Sequence, residues 1–344
     1  MLDEIITEGI LEIITDVEPD SFRQKEVLVT GGAGFLGSWL CESLIKLEAK
    51  VTVLDDLSSG KMEHLGGLQK SERFKFIRGN TVSTDISGIY DLIFHFASPA
   101  SPDDYQRRPI DTMLANSMGA LNMLRIAERN SCPIVFASTS EIYGDAEVIP
   151  TPETYWGKVN PIGPRSSYDE SKRFAEALGV AFRTQKSMDV RVARLFNSYG
   201  PRLRPDGAYA RAVSRFLFQA LNGEPITVYG DGSQTRSFCY VTDTIGGILK
   251  VATSDAARNE TFNVGNPKEV KIIDLARTIK GLTRSSSEIA FRPLPIDDPR
   301  RRCPDISKAR RILNWEPKVD LRTGLIKTFE WIKVNYPVKA KANK

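Results

Sequence analysis

A tyrosine and a lysine four residues apart are the first candidates for chemistry in this chain of 344 residues. Tyr168 and Lys172 stand in the segment Tyr-Asp-Glu-Ser-Lys, and this spacing places both side chains on one face of a helix. A lysine at that position is expected to lower the pKa of the phenol from about 10, so that tyrosinate removes a hydroxyl proton as a hydride leaves for a nicotinamide. The pair therefore predicts redox chemistry on an alcohol.

A glycine-rich loop upstream predicts where a dinucleotide binds. The strand Val-Leu-Val-Thr leads directly into Gly-Gly-Ala-Gly-Phe-Leu-Gly, and a helical segment follows. Gly31 permits a tight turn, Gly34 lets the backbone approach a pyrophosphate, and Gly37 allows the helix to pack closely. The helix N-terminus adds free N–H groups and a positive dipole.

Two aspartates end the next predicted strand, and they indicate which dinucleotide is bound. Asp55 and Asp56 begin 18 residues after Gly37. A carboxylate there can accept hydrogen bonds from the adenosine ribose and would repel a 2′-phosphate. The sequence therefore predicts NAD as the cofactor rather than NADP.

Short apolar strands alternate with helical segments from Glu26 onward, a pattern typical of a parallel sheet covered on both faces. It predicts an α/β fold, a Rossmann-type doubly wound parallel sheet with a smaller mixed C-terminal substrate lobe. Residues 1–25 are predicted to be an acidic helical extension, packed on the protein's own surface or at an oligomer contact. The remaining predicted regions are the NAD-binding domain with the Tyr–Lys pair (26–196), a lobe that mainly binds substrate and whose chain crosses back to the sheet (197–336), and a disordered tail (337–344).

Composition argues against several classes of function. Only two histidines are present, His64 and His95, so no histidine-rich metal site or Ser-His-Asp triad is expected. The four cysteines lie far apart, which argues against a zinc site or disulfides and favours a cytoplasmic setting. The net charge of +4 is small against 47 basic and 43 acidic residues, so no nucleic-acid partner is expected. No apolar stretch reaches the roughly 18 residues of a membrane span, and no membrane association is predicted.

Five longer stretches resemble the extended short-chain dehydrogenase/reductase family, and the resemblance runs from about Glu26 to Trp331. Within it, the chain is most similar to the UDP-glucuronate decarboxylases, which form UDP-xylose. The stretches are ASPASP at 97–102, STSEIYGDAEV at 138–148, YWGKVNPIGPRSSYDESKR at 155–173, GEPITVYGDGSQTRSF at 223–238 and DDPRRRCPDI at 297–306.

The resemblance implies roles for residues that spacing alone does not assign. The implied catalytic residues, with Arg236 facing the glucuronate end, are Thr139, Glu141, Tyr168, Lys172 and Arg236. The implied contacts to the UDP-sugar, several of them around the UDP, are Tyr105, Asn197, Arg211, Tyr229, Arg236 and Arg302. Beyond the glycines and aspartates, the implied NAD contacts are Phe35, Leu36, Ala97, Ser98, Asn116, Tyr168 and Lys172. No metal is implied, and a homodimer is expected.

The implied reaction begins with oxidation of the sugar at C4. The carboxylate is then β to a ketone, so loss of carbon dioxide leaves an enolate, and the retained cofactor reduces C4 after C5 is protonated. Glu141 could orient the substrate or a water molecule, and Arg236 could hold the carboxylate or organise a proton donor. Asn80 stands where the family commonly has an aspartate near the adenine, and the segment LRPDGAYARAVSR is slightly longer than the decarboxylase pattern.

Other functions stay open at this point. A nucleotide-sugar 4-epimerase needs the same loop and Tyr–Lys pair but usually has a small residue at the position of Glu141. A dTDP-glucose 4,6-dehydratase has an Asp-Glu pair where this chain has Ser140 and Glu141, whereas GDP-mannose dehydratases share Thr-Ser-Glu. A non-catalytic nucleotide-binding regulator would be expected to lose the redox pair, and both of its members are present.

Overall fold

A computed structural model describes residues 2–337, except for the side chains of Leu2, Asp3 and Ala208. Its strands are β1 (Glu26–Thr30), β2 (Lys50–Asp55), β3 (Phe74–Arg78), β4 (Leu92–His95), β5 (Ile134–Thr139), β6 (Val190–Leu195), β7 (Ser198–Tyr199), β8 (Ile226–Tyr229), β9 (Thr235–Ser237), β10 (Cys239–Tyr240), β11 (Thr261–Val264), β12 (Glu269–Lys271) and β13 (Ile289–Arg292). Its α-helices are α1 (Leu2–Thr15), α2 (Phe35–Lys46), α3 (Pro102–Arg107), α4 (Pro109–Asn130), α5 (Ser166–Lys186), α6 (Ala212–Asn222), α7 (Val241–Thr253), α8 (Ile272–Thr283), α9 (Ser307–Leu313) and α10 (Leu321–Asn335).

One parallel sheet forms the centre of the described chain, with strand order β11-β6-β5-β4-β1-β2-β3. Successive side chains of a strand point to opposite faces of this sheet, and each face packs into its own hydrophobic core. On β1, Val27 and Val29 pack in the core on the α2 side, whereas Leu28 belongs to a separate core with α4 and α5. This arrangement confirms the predicted doubly wound α/β fold.

The C-terminal lobe is built from three small two-stranded sheets and the helices beside them. β7 pairs with β10, β8 pairs with β13, and β9 pairs with β12. The chain then returns to the main sheet, where β11 pairs in parallel with β6. Residues after 196 therefore contribute to both the lobe and the edge of the sheet.

The N-terminal extension forms α1 and packs on the protein itself. Ile10 and Ile13 are both 2% exposed and belong to the main core. Gly9 lies against the Trp39 ring of α2, close enough that a Cβ there would meet the ring. The Glu12 carboxylate also pairs with Lys327 of α10 at 3.0 Å. The extension therefore braces the helix that follows the glycine loop.

The predicted disordered tail, apart from residue 337, lies outside the described residues. Within residues 2–337, none of the helices is both long enough and apolar enough to cross a membrane.

Candidate active site

A cavity of about 850 Å³ lies where the carboxyl ends of the central strands meet the C-terminal lobe. Ligands bind at this edge of doubly wound sheets because the strand order reverses there. The cavity is lined by most of the residues that the sequence assigned to the cofactor and the substrate, from Gly31 and Asp55 to Tyr168 and Arg236. Tyr105 and Asn116 are the two assigned residues that are not part of its lining.

The glycine loop has the geometry that a dinucleotide needs. Gly31 has a φ of +73°, and a Cβ there would lie 2.8 Å from the amide nitrogen of Ala97. A Cβ on Gly37 would collide with the carbonyl oxygen of Gly31. Helix α2 begins after Gly34 without a side-chain cap, so its first N–H groups remain available to an anion. These residues fit a bound pyrophosphate.

Asp55 lies at the end of β2 and is 7% exposed. Its Oδ2 accepts a hydrogen bond from the Ala33 amide at 2.9 Å, and its Oδ1 accepts one from the Leu57 amide at 2.8 Å. Burial raises the pKa of Asp55, while these two amide bonds lower it. Each carboxylate oxygen keeps a further lone pair, so Asp55 can accept bonds from a ribose while it holds the loop.

We expect Asp55→Ala to weaken NAD binding by about 10- to 150-fold, because it removes a charge-assisted acceptor worth about 1.5–3 kcal/mol. The difference in affinity between NAD and NADP should also decrease, because the repulsion of the 2′-phosphate is lost. Titration calorimetry with both dinucleotides measures the two effects. Asp85→Ala is the control, because it removes the same charge from an exposed residue outside the cavity lining. Equal changes in the two variants would contradict a specific ribose contact at Asp55.

Asn80 stands where the family commonly has an aspartate near the adenine, and its side chain is engaged within its own turn. Asn80 lines the cavity, and its Oδ1 accepts hydrogen bonds from the amides of Val82 and Ser83, each at 2.9 Å. This oxygen is therefore used to cap its own turn. The amide nitrogen is the remaining polar group that Asn80 offers to a ligand.

Tyr168 and Lys172 lie on α5, as their spacing predicted, and both line the cavity. The Lys172 ammonium donates a hydrogen bond to the Ala137 carbonyl at 2.9 Å and lies 5.8 Å from the centroid of the Tyr168 ring. Burial lowers the pKa of Lys172 to about 8. The pair is therefore shielded from bulk water. We call the part of the cavity that Tyr168 and Lys172 line the sugar end, because this pair is expected to act on the sugar hydroxyl.

The expectation that Lys172 lowers the pKa of Tyr168 does not hold in this structure. Burial raises the pKa of Tyr168 to about 12, although a hydrogen bond with Thr139 and the charge of Arg211 act in the opposite direction. Desolvation of the phenolate therefore outweighs the nearby cations. Tyr168 is a neutral donor in this state, and it needs further positive charge to act as a base.

Tyr105 and Asn116, which the resemblance assigned to the substrate and to NAD, lie outside the cavity lining and pack beside the pair. The Tyr105 ring is 1% exposed and stacks on the Tyr168 ring, with centroids 5.0 Å apart and planes 6° from parallel. The Asn116 amide on α4 donates to the Ser171 hydroxyl on α5 at 3.0 Å. Both side chains point into packed interior because their helices turn these positions toward α5. Tyr105 therefore positions the Tyr168 ring, and Asn116 holds the same helix through Ser171.

Glu141 is held between two arginines at the sugar end of the cavity. It follows β5 on a short 3-10 helix, Ser140–Tyr143. Its Oε2 accepts from Arg165 Nη2 at 2.6 Å, and its two oxygens accept from Arg302 Nη1 and Nη2 at 2.5 and 2.7 Å. Burial alone would raise its pKa, but the two arginines outweigh burial and hold the pKa of Glu141 well below its usual range. Glu141 therefore stays ionised.

A second carboxylate, Asp298, shares this cluster of arginines. Arg236, on β9, donates through Nη2 to Asp298 Oδ2 at 2.8 Å. Arg165 Nη1 lies 3.6 Å from Asp298 Oδ1, so Arg165 stands between the two acids. We call Arg165, Arg236, Arg302, Glu141 and Asp298 the arginine cluster.

Sequence reasoning missed two members of the arginine cluster, Arg165 and Asp298. Both occur inside stretches that carried the family resemblance, and a signal was present for Arg165, which stands three residues before Tyr168. Arg302 was expected around the UDP, whereas the structure places its guanidinium on Glu141. The neighbouring Arg300 and Arg301 side chains are 80% and 55% exposed.

Three other residues predicted to contact the UDP-sugar, Asn197, Arg211 and Tyr229, also line the cavity. Arg211 precedes α6 and donates to the Ala100 carbonyl at 3.0 Å. Tyr229 ends β8, and the Arg215 guanidinium lies 4.9 Å from the centroid of its ring. Asn197 lines the cavity, and its side-chain nitrogen is buried without a hydrogen-bond partner among the described residues. Guanidinium forks suit phosphate oxygens, so Arg215 joins Arg211 as a candidate for the diphosphate.

Together, the parallel sheet, the glycine loop, the Tyr–Lys pair on one helix and a separate lobe over the cavity are the architecture of an extended short-chain dehydrogenase/reductase. The family model described as GDP-mannose 4,6 dehydratase matches residues 28–328. The chain belongs to the GDP-mannose 4,6-dehydratase family of extended short-chain dehydrogenases/reductases.

Individual relatives are similar over most of the chain. UDP-glucuronic acid decarboxylase 1 of Xenopus tropicalis is 46% identical over 310 residues, which cover 90% of this chain and 72% of that protein. UDP-glucuronic acid decarboxylase 1 of Arabidopsis thaliana is 46% identical over 303 residues, covering 88% and 68%. Among solved structures, a variant of UDP-glucuronic acid 4-epimerase from Bacillus cereus, in complex with a fluorinated UDP-glucuronic acid and NAD, superposes with a TM-score of 0.82 at 28% identity and covers 90% of this chain and all of that one.

Proposed function

We propose that this enzyme converts UDP-glucuronate to UDP-xylose and carbon dioxide, through a 4-keto sugar and with NAD regenerated in each cycle. The arginine cluster beside Tyr168 is the observation that carries the proposal. Its three guanidiniums face two protein carboxylates, Glu141 and Asp298, so the sugar end has one more cationic than anionic side chain in this cluster. A carboxylate on the sugar would balance that charge. The similarity to named UDP-glucuronic acid decarboxylases supports the same substrate.

The redox steps fall to Tyr168. As a phenolate, Tyr168 takes the proton of the C4 hydroxyl during oxidation, and the phenol so formed returns it to O4 during the final reduction. NAD, held by the glycine loop and Asp55, would accept the C4 hydride, add positive charge beside Tyr168 and deliver the hydride back at the end. Thr139 bonds to Tyr168 and keeps the phenol aimed into the cavity.

The carbon–carbon cleavage follows from the ketone. The C5–C6 bond breaks, its electron pair forms the enolate across C5, C4 and O4, and C6 leaves as carbon dioxide. A proton then adds at C5, so that UDP-glucuronate and one proton give UDP-xylose and carbon dioxide. Glu141 does not supply that proton, because its arginine partners keep it ionised. It holds Arg165 and Arg302 in place around the sugar.

A mass analysis of products from UDP-glucuronate, UDP-glucose and UDP-galactose tests the proposal. A product lighter than UDP-glucuronate by one carbon dioxide, formed without net reduction of added NAD, is the expected result. A UDP-glucuronate 4-epimerase is the second candidate, because a solved neighbour bears that name. It would give a product of unchanged mass with altered chromatography, and loss of water would indicate a dehydratase. Either result would replace the decarboxylase proposal.

The pH dependence of substrate binding gives a further expected result, because Asp169 faces the arginine cluster. Burial and the Glu141 carboxylate raise the pKa of Asp169 to about 7, against the lowering effect of Arg165 and Arg302. Below that pH Asp169 is neutral, and above it an added negative charge cancels the positive charge left for the substrate. The KM for UDP-glucuronate should therefore rise, by on the order of tenfold, as the pH increases through about 7.

Asp169→Asn should remove this rise in KM, because the amide stays neutral at every pH. The inhibition constant of UDP, which has no sugar carboxylate, provides the control in both proteins. A rise in KM that persists in Asp169→Asn would assign the pH dependence to another group.

The proposal also includes a homodimer built on α4 and α5. Their outer faces expose large apolar side chains on the described chain: Ile110 at 71%, Met113 at 46%, Met118 at 43%, Phe174 at 50% and Val180 at 50%. Apolar area of this kind is typical of an interface between subunits. Light scattering after size exclusion should give twice the monomer mass, and charged substitutions at Met118 and Phe174 should restore the monomer.

A further inference from the structure

Most hydrogen bonds from the guanidiniums of the arginine cluster go to the two protein acids, Glu141 and Asp298. Both Nη atoms of Arg302 donate to Glu141, and Arg165 Nη2 does the same. Arg236 donates Nη1 to the Thr235 carbonyl and Nη2 to Asp298. The Nε atoms of Arg165 and Arg302 have no partner among the described residues, but they are sealed from solvent. A sugar carboxylate that binds the terminal nitrogens of Arg302 or Arg236 therefore competes with Glu141 or Asp298.

The two acids differ in how firmly they are held. Glu141 receives three short bonds, from 2.5 to 2.7 Å, and follows directly from a strand of the sheet. Asp298 receives one bond at 2.8 Å, and its contact with Arg165 is longer, at 3.6 Å. Charge-assisted bonds near 2.7 Å are the stronger kind, so Asp298 is the acid that yields more easily.

The backbone around Asp298 favours the same choice. Residues 293–299 have neither helix nor strand, and residues 293–297 are exposed, whereas Arg165 and Arg236 are buried in the scaffold. Asp298 itself is 20% exposed at its side chain and lines the cavity. A carboxylate that leaves Arg236 here can enter solvent at little cost, whereas a displaced Glu141 would stay in the interior.

We propose that the Asp298 carboxylate is a place-holder for the carboxylate of the substrate, an inference that rests on the proposed decarboxylase function. It pairs with Arg236 and Arg165 when no sugar carboxylate is present. The glucuronate carboxylate displaces it when the substrate binds. After carbon dioxide leaves, Asp298 returns and neutralises the two arginines again. UDP-xylose has no carboxylate with which to compete, so Asp298 makes the site distinguish the substrate from its own product.

Binding measurements with Asp298→Asn test the proposal. An amide has no negative charge to compete with, so the Kd of UDP-glucuronate should fall by about tenfold, equivalent to ~1.4 kcal/mol. The Kd values of UDP-xylose and UDP-glucose should stay unchanged. Titration calorimetry on the full chain with bound NAD measures all three, in the Tyr168→Phe background so that the sugar is not oxidised.

Asp297→Asn is the matched control, because it removes the same charge one residue earlier. Asp297 accepts a hydrogen bond from the Asn160 amide at 2.9 Å and contacts no arginine of the cluster. Equal changes in the Kd of UDP-glucuronate in the two variants would overturn the place-holder role of Asp298. A common change in the Kd of all three nucleotides with Asp298→Asn would overturn it as well. Parental turnover of UDP-glucuronate, measured in parallel, separates that outcome from failure of the decarboxylase function itself.

Hydrogen–deuterium exchange on the otherwise unaltered Tyr168→Phe protein gives a readout that does not depend on the Asp298 substitution. UDP-glucuronate should increase exchange in residues 293–300 relative to UDP-xylose, because only a nucleotide with a sugar carboxylate releases Asp298 from Arg236. Identical exchange with the two nucleotides would also overturn the proposal.

Discussion

Tyr168→Phe is expected to lower the rate of hydride transfer by about 100- to 10,000-fold, because it removes the hydroxyl that takes and returns the C4 proton. The ring and its stacking on Tyr105 are retained, so NAD and UDP should bind with nearly parental affinity. Single-turnover absorbance of the reduced nicotinamide, with calorimetry for the two ligands, measures both parts. Tyr240→Phe is the control, because it removes a hydroxyl from a ring that is 1% exposed and lies outside the cavity.

Near-parental turnover of Tyr168→Phe would remove Tyr168 as the base. Loss of UDP binding in this variant would instead indicate that the hydroxyl holds the architecture of the sugar end. The Tyr240→Phe protein should turn over at the parental rate, which separates a general effect of a buried hydroxyl from the effect of this one.

Arg236→Gln is expected to lower kcat/KM for UDP-glucuronate by about 10- to 150-fold, the loss of one charge-assisted contact of about 1.5–3 kcal/mol. The effect should be confined to acidic sugars, so the affinity for UDP-glucose should change little. Carbon dioxide release and UDP-xylose formation are measured with UDP-glucuronate, and titration calorimetry measures the affinity for UDP-glucose in parallel. Lysine at position 236 should rescue only part of the loss, because it keeps the charge without the planar fork.

Arg300→Gln is the matched control for Arg236→Gln. Arg300 carries the same charge on the same side of the lobe, but its side chain is 80% exposed and pairs with Asp145 at the surface. It should leave kcat/KM unchanged. A parental kcat/KM in Arg236→Gln would mean that this guanidinium has a structural role, and the assignment of the glucuronate end would then pass to Arg165 or Arg302.

The cofactor half of the cavity could be predicted from the sequence because its determinants are local. Gly31 and Asp55 lie at the ends of consecutive strands, with Gly37 in the helix between them, and the carboxyl ends of parallel strands meet at one edge of the sheet. The pattern of apolar strands therefore placed these residues together before any tertiary contact was known. Tyr168 and Lys172 were paired for the same reason, because one turn of helix separates them.

The arginine cluster was beyond such reasoning because its members come from four separate segments. Nothing in the spacing of Glu141, Arg165 and Asp298 indicates that they meet, since their contacts depend on how the lobe folds over the sheet. The pKa of Tyr168 shows the same limit. Its direction is decided by desolvation, which depends on the packing of Tyr105 and other distant neighbours and not on the lysine one turn away.

The return of β11 to the main sheet has a consequence for how this enzyme can be divided. A fragment that ends before β11 would leave β6 as an open edge, with a row of unpaired backbone groups that favours aggregation. The substrate lobe cannot be exchanged as a cassette either, because its chain is continuous with that edge strand. Grafting a new sugar specificity onto this scaffold therefore calls for point changes within the lobe, made in a chain that keeps residues 261–264 in place.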